Sequence, residues 1–284
     1  MVYSVILLNF NTAFKYKMNI KKYFEYTPSI DLNAAQIGIN KWEWIKINSS
    51  DEVRAKEIMQ NYRFDVLPIV NRSEIKSYFA TQSRNDFSNI AVLPIREEDM
   101  IYYRMSFEDL IRKFDQDNRF FYFLTNHQEV LGLVSRVNLN SQPVYSYLFQ
   151  LIVSIEKNIS EKLDELIDQD DIIKMFESSS DPLNQSIVKN FKEAVEQGKD
   201  NSIFQHMYLQ NIGYILNKFS KKLDEKLSRL KPYKSNFSPD GLYNKIRRNV
   251  MHPVRPIYNG DITITEINQF LSDYHQIMDI LIDE

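Results

Sequence analysis

The second half of the chain carries apolar residues at the spacing of an amphipathic helix. After Pro143, a residue that does not fit inside a helix, apolar side chains recur every three or four positions and predict one helix of about 25 residues. The stripe consists of Leu148, Leu151, Ile152, Ile155, Ile159, Leu163, Leu166 and Ile167. Further helices are predicted over 184–197, 203–230 and 239–251, with a last one from an N-cap at Thr265 to about Ile282. The pattern therefore predicts an all-α domain of about five helices.

The first half contains a weak internal repeat. A shift of 56 residues aligns Arg63 and Phe64 with Arg119 and Phe120. In each copy a helical stretch precedes two short apolar strands, so each predicted unit is α-β-β. The predicted helices are 52–62 and 106–117, and the predicted strands are 66–70, 75–80, 120–124 and 130–135.

Local signals add detail to these two copies. Ser106, followed three residues later by Asp109, predicts the start of a helix. Gly132 lies inside a predicted strand, where a bare backbone permits the close approach of another chain segment or forms a bulge. The segment 42–47, with two tryptophans and two isoleucines, is interpreted as the first strand of the first copy.

These patterns divide the chain into two domains. We predict an α+β domain over residues 1–142 and an all-α helical bundle over residues 143–284, with the boundary at Pro143. Residues 1–44 begin with an apolar stretch at 2–10 and continue without a clear period. No role is assigned to them, although they could complete the first copy or pack against it.

Composition removes several classes of chemistry. Among 284 residues, 43% are hydrophobic, enough for two ordinary cores, and none is cysteine. Disulfides, thiolate metal sites and cysteine nucleophiles are therefore excluded, and the four histidines include no pair at metal-ligand spacing. Six glycines form no Gly-rich phosphate loop. No apolar run reaches the length of a membrane span, and the N-terminus lacks a secretory signal pattern, so we expect a soluble cytoplasmic protein with no membrane contact.

Charge is unevenly distributed. The net charge is −3, yet the stretch from Lys218 to Arg255 holds eleven basic residues against three acidic ones. A solvated helix face explains such a stretch as well as a surface that binds a polyanion does. The pattern alone does not decide between them.

The two copies of the first half resemble a tandem pair of cystathionine β-synthase (CBS) domains, each a βαββα unit, over residues 45–142. The better match is the stretch 130–139, which reads VLGLVSRVNL. The resemblance implies that Ser135 contacts a phosphate and that the residue at 138 holds ribose hydroxyls, with Arg136 between them. Asn138 stands where the family usually has Asp, and the first copy departs further, with Ser77 at the glycine position. An adenine nucleotide as regulator is thus one expectation, and purely structural packing or dimerisation is the other.

The candidate catalytic segment lies within the basic stretch. Residues 244–253 read NKIRRNVMHP. Arg248 and His252 are four positions apart and share a face of a straight helix, whereas Arg247 points elsewhere. Because the residue before Pro253 is biased away from helical geometry, His252 could also leave the helix end.

This segment resembles the signature of the HEPN superfamily (higher eukaryotes and prokaryotes nucleotide-binding), helical bundles in which an Arg precedes a His with four to six residues between them. Arg247 and His252 are separated by four, and Asn249 occupies a polar helper position. The family's acid in its long first helix corresponds to Glu156. The resemblance implies a homodimer that cleaves RNA by attack of the 2′-hydroxyl, without a metal or other required cofactor, as a toxin or defence effector.

Other interpretations of the same residues remain open. His252 could simply interact with the negative end of its helix. The alternative function is a non-catalytic dimeric module whose helical half binds a nucleotide, RNA or protein. The chemistry of the first interpretation is sound, because His titrates near neutral pH and Arg stabilises charge on phosphoryl oxygens.

Overall fold

A computed structural model describes residues 31–48, 50–72, 74–83, 86–127, 129–199, 202–252, 254–258 and 260–282. The apolar stretch 2–10 and Pro253 lie outside the described residues. The chain divides between Val144 and Tyr145 into an α/β unit over residues 32–144 and a helical unit that continues from Tyr145. An α/β region followed by a helical region agrees with the predicted fold class at this level.

The α/β unit contains two sheets and three helices among its described residues. The elements are α1 (Ala34–Ile37), β1 (Ile39–Asn40), α2 (Glu52–Tyr62), β2 (Val66–Asn71), β3 (Glu74–Thr81), β4 (Ile90–Pro94), β5 (Met100–Tyr102), α3 (Phe107–Asp117), β6 (Phe121–Asn126) and β7 (Glu129–Ser135). In one sheet the strand order is β1-β7-β6-β5, and in the other it is β2-β3-β4. Among these strands, β5 and β6 pair in parallel, and the other pairs are antiparallel.

The internal repeat is visible in the backbone. Arg63 and Asn118 both end their helices in the left-handed conformation, and Arg72 and His127 both adopt it between the strands of a hairpin. Each pair is 55 residues apart, and each hairpin has a register shift at the same relative position. The structural offset is thus 55 rather than 56, because the left-handed helix end aligns Arg63 with Asn118 and not with Arg119.

Gly132 allows a close approach between strands. An added Cβ at this residue would lie 2.4 Å from the carbonyl oxygen of Ile39, whose strand β1 pairs with β7. The helix start predicted at Ser106 is also present. The Ser106 side chain accepts a hydrogen bond from the backbone N–H of Asp109 at 3.1 Å, at the start of α3. Both local signals therefore predicted real features of the unit.

Two expectations for the α/β unit are wrong. The segment 42–47 is mostly turn and bend, and only Ile47 forms a parallel bridge, to Ile69. The reason is that Trp44 turns inward and packs edge-on against Phe123, instead of alternating along a strand. In addition, β3 of the first copy is followed by a third strand, β4, and not by the helix that a βαββα unit requires.

The helical unit contains seven α-helices among the described residues. The first has the predicted length, 25 residues, and the predicted apolar stripe is buried except for Leu166, which is exposed. The helices are α4 (Gln142–Leu166), α5 (Gln169–Glu177), α6 (Pro182–Glu196), α7 (Leu209–Lys218), α8 (Glu225–Ser228), α9 (Leu242–Met251) and α10 (Ile264–Ile282). Two 3₁₀ segments, Ile203–His206 and Lys231–Phe237, connect them.

The prediction of one helix over 203–230 is wrong. The predicted helix is interrupted before α7, where the Asn211 side chain accepts a hydrogen bond from the backbone N–H of Tyr208 at 3.1 Å. It is interrupted again before α8, where the Asp224 side chain accepts a hydrogen bond from the backbone N–H of Leu227 at 2.8 Å. These polar side chains satisfy helix N-termini that a continuous helix would not have.

Two helix starts also differ from the prediction. The last helix is capped by Thr263, not Thr265, because Thr263 and Glu266 exchange backbone and side-chain hydrogen bonds in a capping box. The helix predicted over 239–251 begins only at Leu242, after Gly241 at the N-cap. No helix among the described residues is long and apolar enough to cross a membrane.

Candidate functional site

Helix α9 carries the candidate site and is fixed to α10 by a buried carboxylate. Asp273 is buried, and its carboxylate accepts hydrogen bonds from Tyr243 Oη at 2.7 Å, Asn236 Nδ2 at 3.2 Å and Gln269 Nε2 at 2.5 Å. Burial, followed by the hydrogen bond to Asp273, raises the pKa of Tyr243, so the phenol stays a donor. The helix therefore has a defined position and rotation on the bundle.

Two buried asparagines fix the chain on either side of the helix. Asn244 Nδ2 donates to the carbonyl oxygens of Phe237 at 2.7 Å and Ser238 at 2.8 Å, just before α9. Asn249 Nδ2 donates to the carbonyl oxygen of Pro256 at 3.3 Å, just after it. Asn249 thus holds the segment that follows His252, and its buried side chain has a positioning role.

Arg247 extends from α9 to α4 and meets Glu156. Arg247 Nε lies 3.2 Å from Glu156 Oε1, and the two side chains are 23% and 19% exposed. The guanidinium also lies over the ring of Tyr208, 4.6 Å from its centroid. The same Glu156 oxygen accepts from the backbone N–H of Leu209 at 3.2 Å. One carboxylate therefore connects α4, the start of α7 and α9.

The electrostatic balance at Glu156 is set by burial. Desolvation raises the pKa of this carboxyl above its ordinary value, and Arg247 and the Leu209 N–H oppose that rise without cancelling it. When an ion pair is mostly removed from water, the cost of desolvating both charges offsets much of their attraction. The pair therefore adds little net stability even when its geometry is good. Its clearest effect is to fix the direction of the guanidinium.

Arg248 and His252 have different surroundings. Arg248 is exposed, and its Nη1 donates to the carbonyl oxygen of Pro239 at 2.7 Å. His252 is exposed at the helix end with φ −125° and ψ 77°, and its backbone N–H bonds to Asn249 O at 3.2 Å. Its imidazole makes no hydrogen bond or ion pair with the described residues.

The straight-helix argument that groups Arg248 with His252 does not apply. The helix ends at Met251, so His252 leaves the helical path, as the proline that follows it in the sequence predicted. Arg247 is the arginine that the structure brings to Glu156. The hydrogen bond of Tyr145 Oη to the carbonyl oxygen of Arg255, at 2.5 Å, places the segment after His252 beside the first turns of α4.

A cavity of about 470 Å³ lies beside Glu156. Four of the residues that line it are buried, namely Ser160, Ser202, Phe204 and Met207. Val153, Glu156, Lys157, Glu161, Asp164 and Gln205 line the remainder. Neither this cavity nor the contact of Tyr208 with Arg247 could be predicted from the sequence, because the residues that form them come from separate segments with no local motif.

The basic stretch is largely exposed, and part of it is paired. Lys222 lies 2.7 Å from Asp171, and Lys245 lies 3.7 Å from Glu266. Lys234 donates to the carbonyl oxygen of Leu216 at 2.7 Å, and burial lowers its pKa. The stretch therefore combines solvated cations with cations that contact carboxylates or a carbonyl oxygen on other segments of the helical unit.

The three candidate nucleotide residues bond to their own unit. Ser135 donates to Asn138 Oδ1 from both its backbone N–H and its hydroxyl, each at 2.8 Å. Arg136 is buried, and its Nη2 donates to the Phe114 carbonyl oxygen at 2.7 Å and to Asn118 Oδ1 at 3.3 Å. These contacts close the 3₁₀ turn Arg136–Asn140 against α3.

Comparisons with known proteins add no assignment to this geometry. No protein-family model matches the chain, and no curated protein or solved structure matches it either. Within the described residues, no group of three or more His, Asp or Glu side chains is arranged to hold a metal ion. The candidate site therefore consists of the arginine, histidine and glutamate of the helical unit.

Proposed function

We propose that the helical unit is a metal-independent endoribonuclease. The observation that carries the proposal is the fixed guanidinium of Arg247, held by Glu156 and Tyr208, on the helix whose C-cap is the exposed His252. The resemblance of this segment to the HEPN signature supplies the reaction class. The basic stretch around it provides long-range attraction for a polyanion.

Arg247 is suited to stabilise a transition state at phosphorus. Its Nε faces Glu156, and a guanidinium has four further N–H donors on its two Nη atoms. Those donors form a planar fork that matches two phosphoryl oxygens. Because the ion pair fixes the guanidinium before substrate binds, little reorganisation is needed when negative charge develops.

His252 is suited to move the proton. In the proposed reaction the imidazole takes the proton of the 2′-hydroxyl, the 2′-oxygen forms a bond to phosphorus, and the bond from phosphorus to the 5′-oxygen breaks. An imidazolium then returns a proton to the leaving 5′-oxygen. The products are a 2′,3′-cyclic phosphate and a 5′-hydroxyl, and DNA is not cleaved because it lacks the nucleophile.

One chain supplies a single histidine at this site, and the reaction uses one base and one acid. We therefore propose a homodimer in which two copies of α9 surround one phosphate through an isologous interface. Light scattering at micromolar concentration is expected to give twice the 33.8 kDa mass of the chain. A monomer under conditions where RNA is cleaved would rule out the shared site.

The α/β unit is proposed as a regulatory or dimerisation unit that takes an adenine nucleotide. Support comes from the residues of β7 and the following turn, Ser135 to Asn138, and from their resemblance to the CBS nucleotide site. The regulated enzyme would act as a toxin or defence effector in the cytoplasm. This regulatory role is independent of the chemistry of the helical unit.

A second function is favoured by one specific observation. Arg247 is already paired with Glu156, so the pair could serve only to hold α9 on α4 in a non-catalytic dimeric module that binds a nucleotide, RNA or protein. Incubation of the protein with RNA, and with DNA of the same sequence, in excess EDTA separates the two functions. The ribonuclease cleaves only RNA and leaves a 2′,3′-cyclic phosphate, whereas the binding module retards RNA without cleaving it.

A further inference from the structure

The cavity beside Glu156 has the chemistry of a nucleobase site and not of a phosphate site. Phe204 and Met207 give it a buried apolar surface, and Ser160 and Ser202 are buried beside them. Its lining contains three carboxylates, those of Glu156, Glu161 and Asp164, and a single lysine. This net negative lining repels a phosphate and favours a ligand edge that donates hydrogen bonds.

Glu156 has an oxygen available for such an edge. Within the described residues, both polar contacts of its carboxylate use Oε1, which meets Arg247 Nε and the Leu209 N–H. Oε2 remains as an acceptor on a side chain that is 19% exposed and lines the cavity. An acceptor partly removed from water discriminates strongly, because a wrong ligand leaves it unpaired.

We propose that this cavity is a guanine-binding subsite, in which Glu156 accepts hydrogen bonds from the Watson–Crick edge of the base on the 5′ side of the scissile phosphate. On this edge guanine presents two adjacent N–H donors, at N1 and N2, whereas adenine presents one donor, at N6, next to an acceptor at N1 that would face the carboxylate. Single-stranded RNA exposes that edge to protein side chains. The proposal rests on the ribonuclease function, since it places the adjoining phosphate at Arg247.

The placement follows from the shared carboxylate. Glu156 contacts Arg247 through one oxygen and lines the cavity, so a base in the cavity and a phosphate on the Arg247 fork lie next to each other. A nucleoside 3′-monophosphate carries its base and phosphate in this relation. The preference of the enzyme for guanosine would then be set by the same residue that positions its arginine.

The test compares two ligands on three proteins by calorimetry. Guanosine 3′-monophosphate is expected to bind wild type about tenfold or more tightly than adenosine 3′-monophosphate, as one good base contact provides. Glu156→Gln should remove this preference. Because both ligands carry the same phosphate, the ratio of their affinities is insensitive to any change at Arg247. The matched control, Glu165→Gln, changes an exposed carboxylate of α4 outside the cavity lining and should retain the preference.

Equal affinity of the two nucleotides for wild type, no binding of either, or a guanosine preference that survives in Glu156→Gln would overturn the subsite. Mapping the cleavage sites on an RNA of mixed sequence separates this outcome from a failure of the ribonuclease. Cleavage without guanosine preference rejects the subsite and retains the enzyme. Guanosine binding without any cleavage retains the subsite and rejects the enzyme.

Discussion

Arg247 on α9 and Glu156 on α4 form a largely buried ion pair, with Nε and Oε1 3.2 Å apart. This contact connects the two helices that carry the candidate catalytic residues and their acid. The two neighbouring arginines therefore have different surroundings, because Arg248 is exposed and donates a hydrogen bond to a backbone carbonyl oxygen instead. The roles of the two arginines are therefore expected to differ.

Substitution of each arginine measures this difference. Arg247→Ala is expected to lower the cleavage rate about a hundredfold or more, the usual loss when one preorganised donor to a developing oxyanion is removed. Arg248→Ala, the matched control, should have a smaller effect that appears mainly in the salt dependence of RNA binding. The measurement is the initial rate of cleavage at saturating RNA, with circular dichroism as a check that each variant is folded. A larger loss for Arg248→Ala would assign the scissile phosphate to Arg248.

Stability should depend on pH through Glu156. Its pKa is raised in the folded protein from an ordinary value of 4.5, so the folded state holds this proton more tightly than the unfolded state. The free energy of unfolding therefore loses a contribution as pH rises from below 4.5 through the raised value. Urea denaturation of wild type and Glu156→Gln should give a difference, wild type minus variant, that falls with pH. A difference that rises over this window would mean that Arg247 outweighs burial.

Gly132 should not tolerate a side chain. A Cβ there would lie 2.4 Å from the Ile39 carbonyl oxygen, and a backbone atom cannot move aside cheaply. Gly132→Ala is expected to lower the free energy of unfolding by about 1–3 kcal/mol, as overpacking usually does. The control Val137→Ala, at an exposed position in the same unit, should stay within about 0.5 kcal/mol of wild type. Equal stability of Gly132→Ala and wild type would show that β1 does not approach β7 this closely.

Nucleotide binding by the α/β unit is tested at Asn138. Its Oδ1 accepts two hydrogen bonds from Ser135, and a carboxylate would accept them as well. Asn138→Asp is expected to tighten the binding of ATP or AMP, because a carboxylate is the stronger acceptor for ribose hydroxyls. Asn140→Asp adds the same charge in the same turn and should leave the affinity unchanged. If calorimetry detects no heat of nucleotide binding for wild type or for Asn138→Asp, this unit has a structural role only.

The sequence was most informative where one segment determines its own structure. The three- and four-residue spacing from Leu148 to Ile167 predicted α4, and Ser106 with Asp109 predicted the start of α3, because these signals depend on nearby residues. The break near Tyr208 and the turn at Trp44 depend on side chains that meet distant partners or cap unexpected helix ends. Periodicity does not contain that information.

The candidate site shows the same division. Arg247, His252 and Glu156 could be nominated from the sequence because the basic segment resembles the HEPN signature, with Glu156 as the polar residue that interrupts the apolar stripe. Their geometry could not, since the contact between Glu156 and Arg247 joins two distant helices. The stacking of Arg247 on Tyr208 and the adjoining cavity depend on the same tertiary packing.

His252 is the group proposed to move protons in RNA cleavage. This role is tested by the rate of RNA cleavage in excess EDTA by wild type, His252→Ala and the control His275→Ala, which removes another exposed histidine, on α10. His252→Ala should abolish turnover with unchanged circular dichroism, because an exposed side chain at a helix end contributes little to the core. His275→Ala should cleave like wild type and give the same 2′,3′-cyclic phosphate. Wild-type protein that cleaves no RNA, or a His252→Ala variant that retains full activity, would contradict the account.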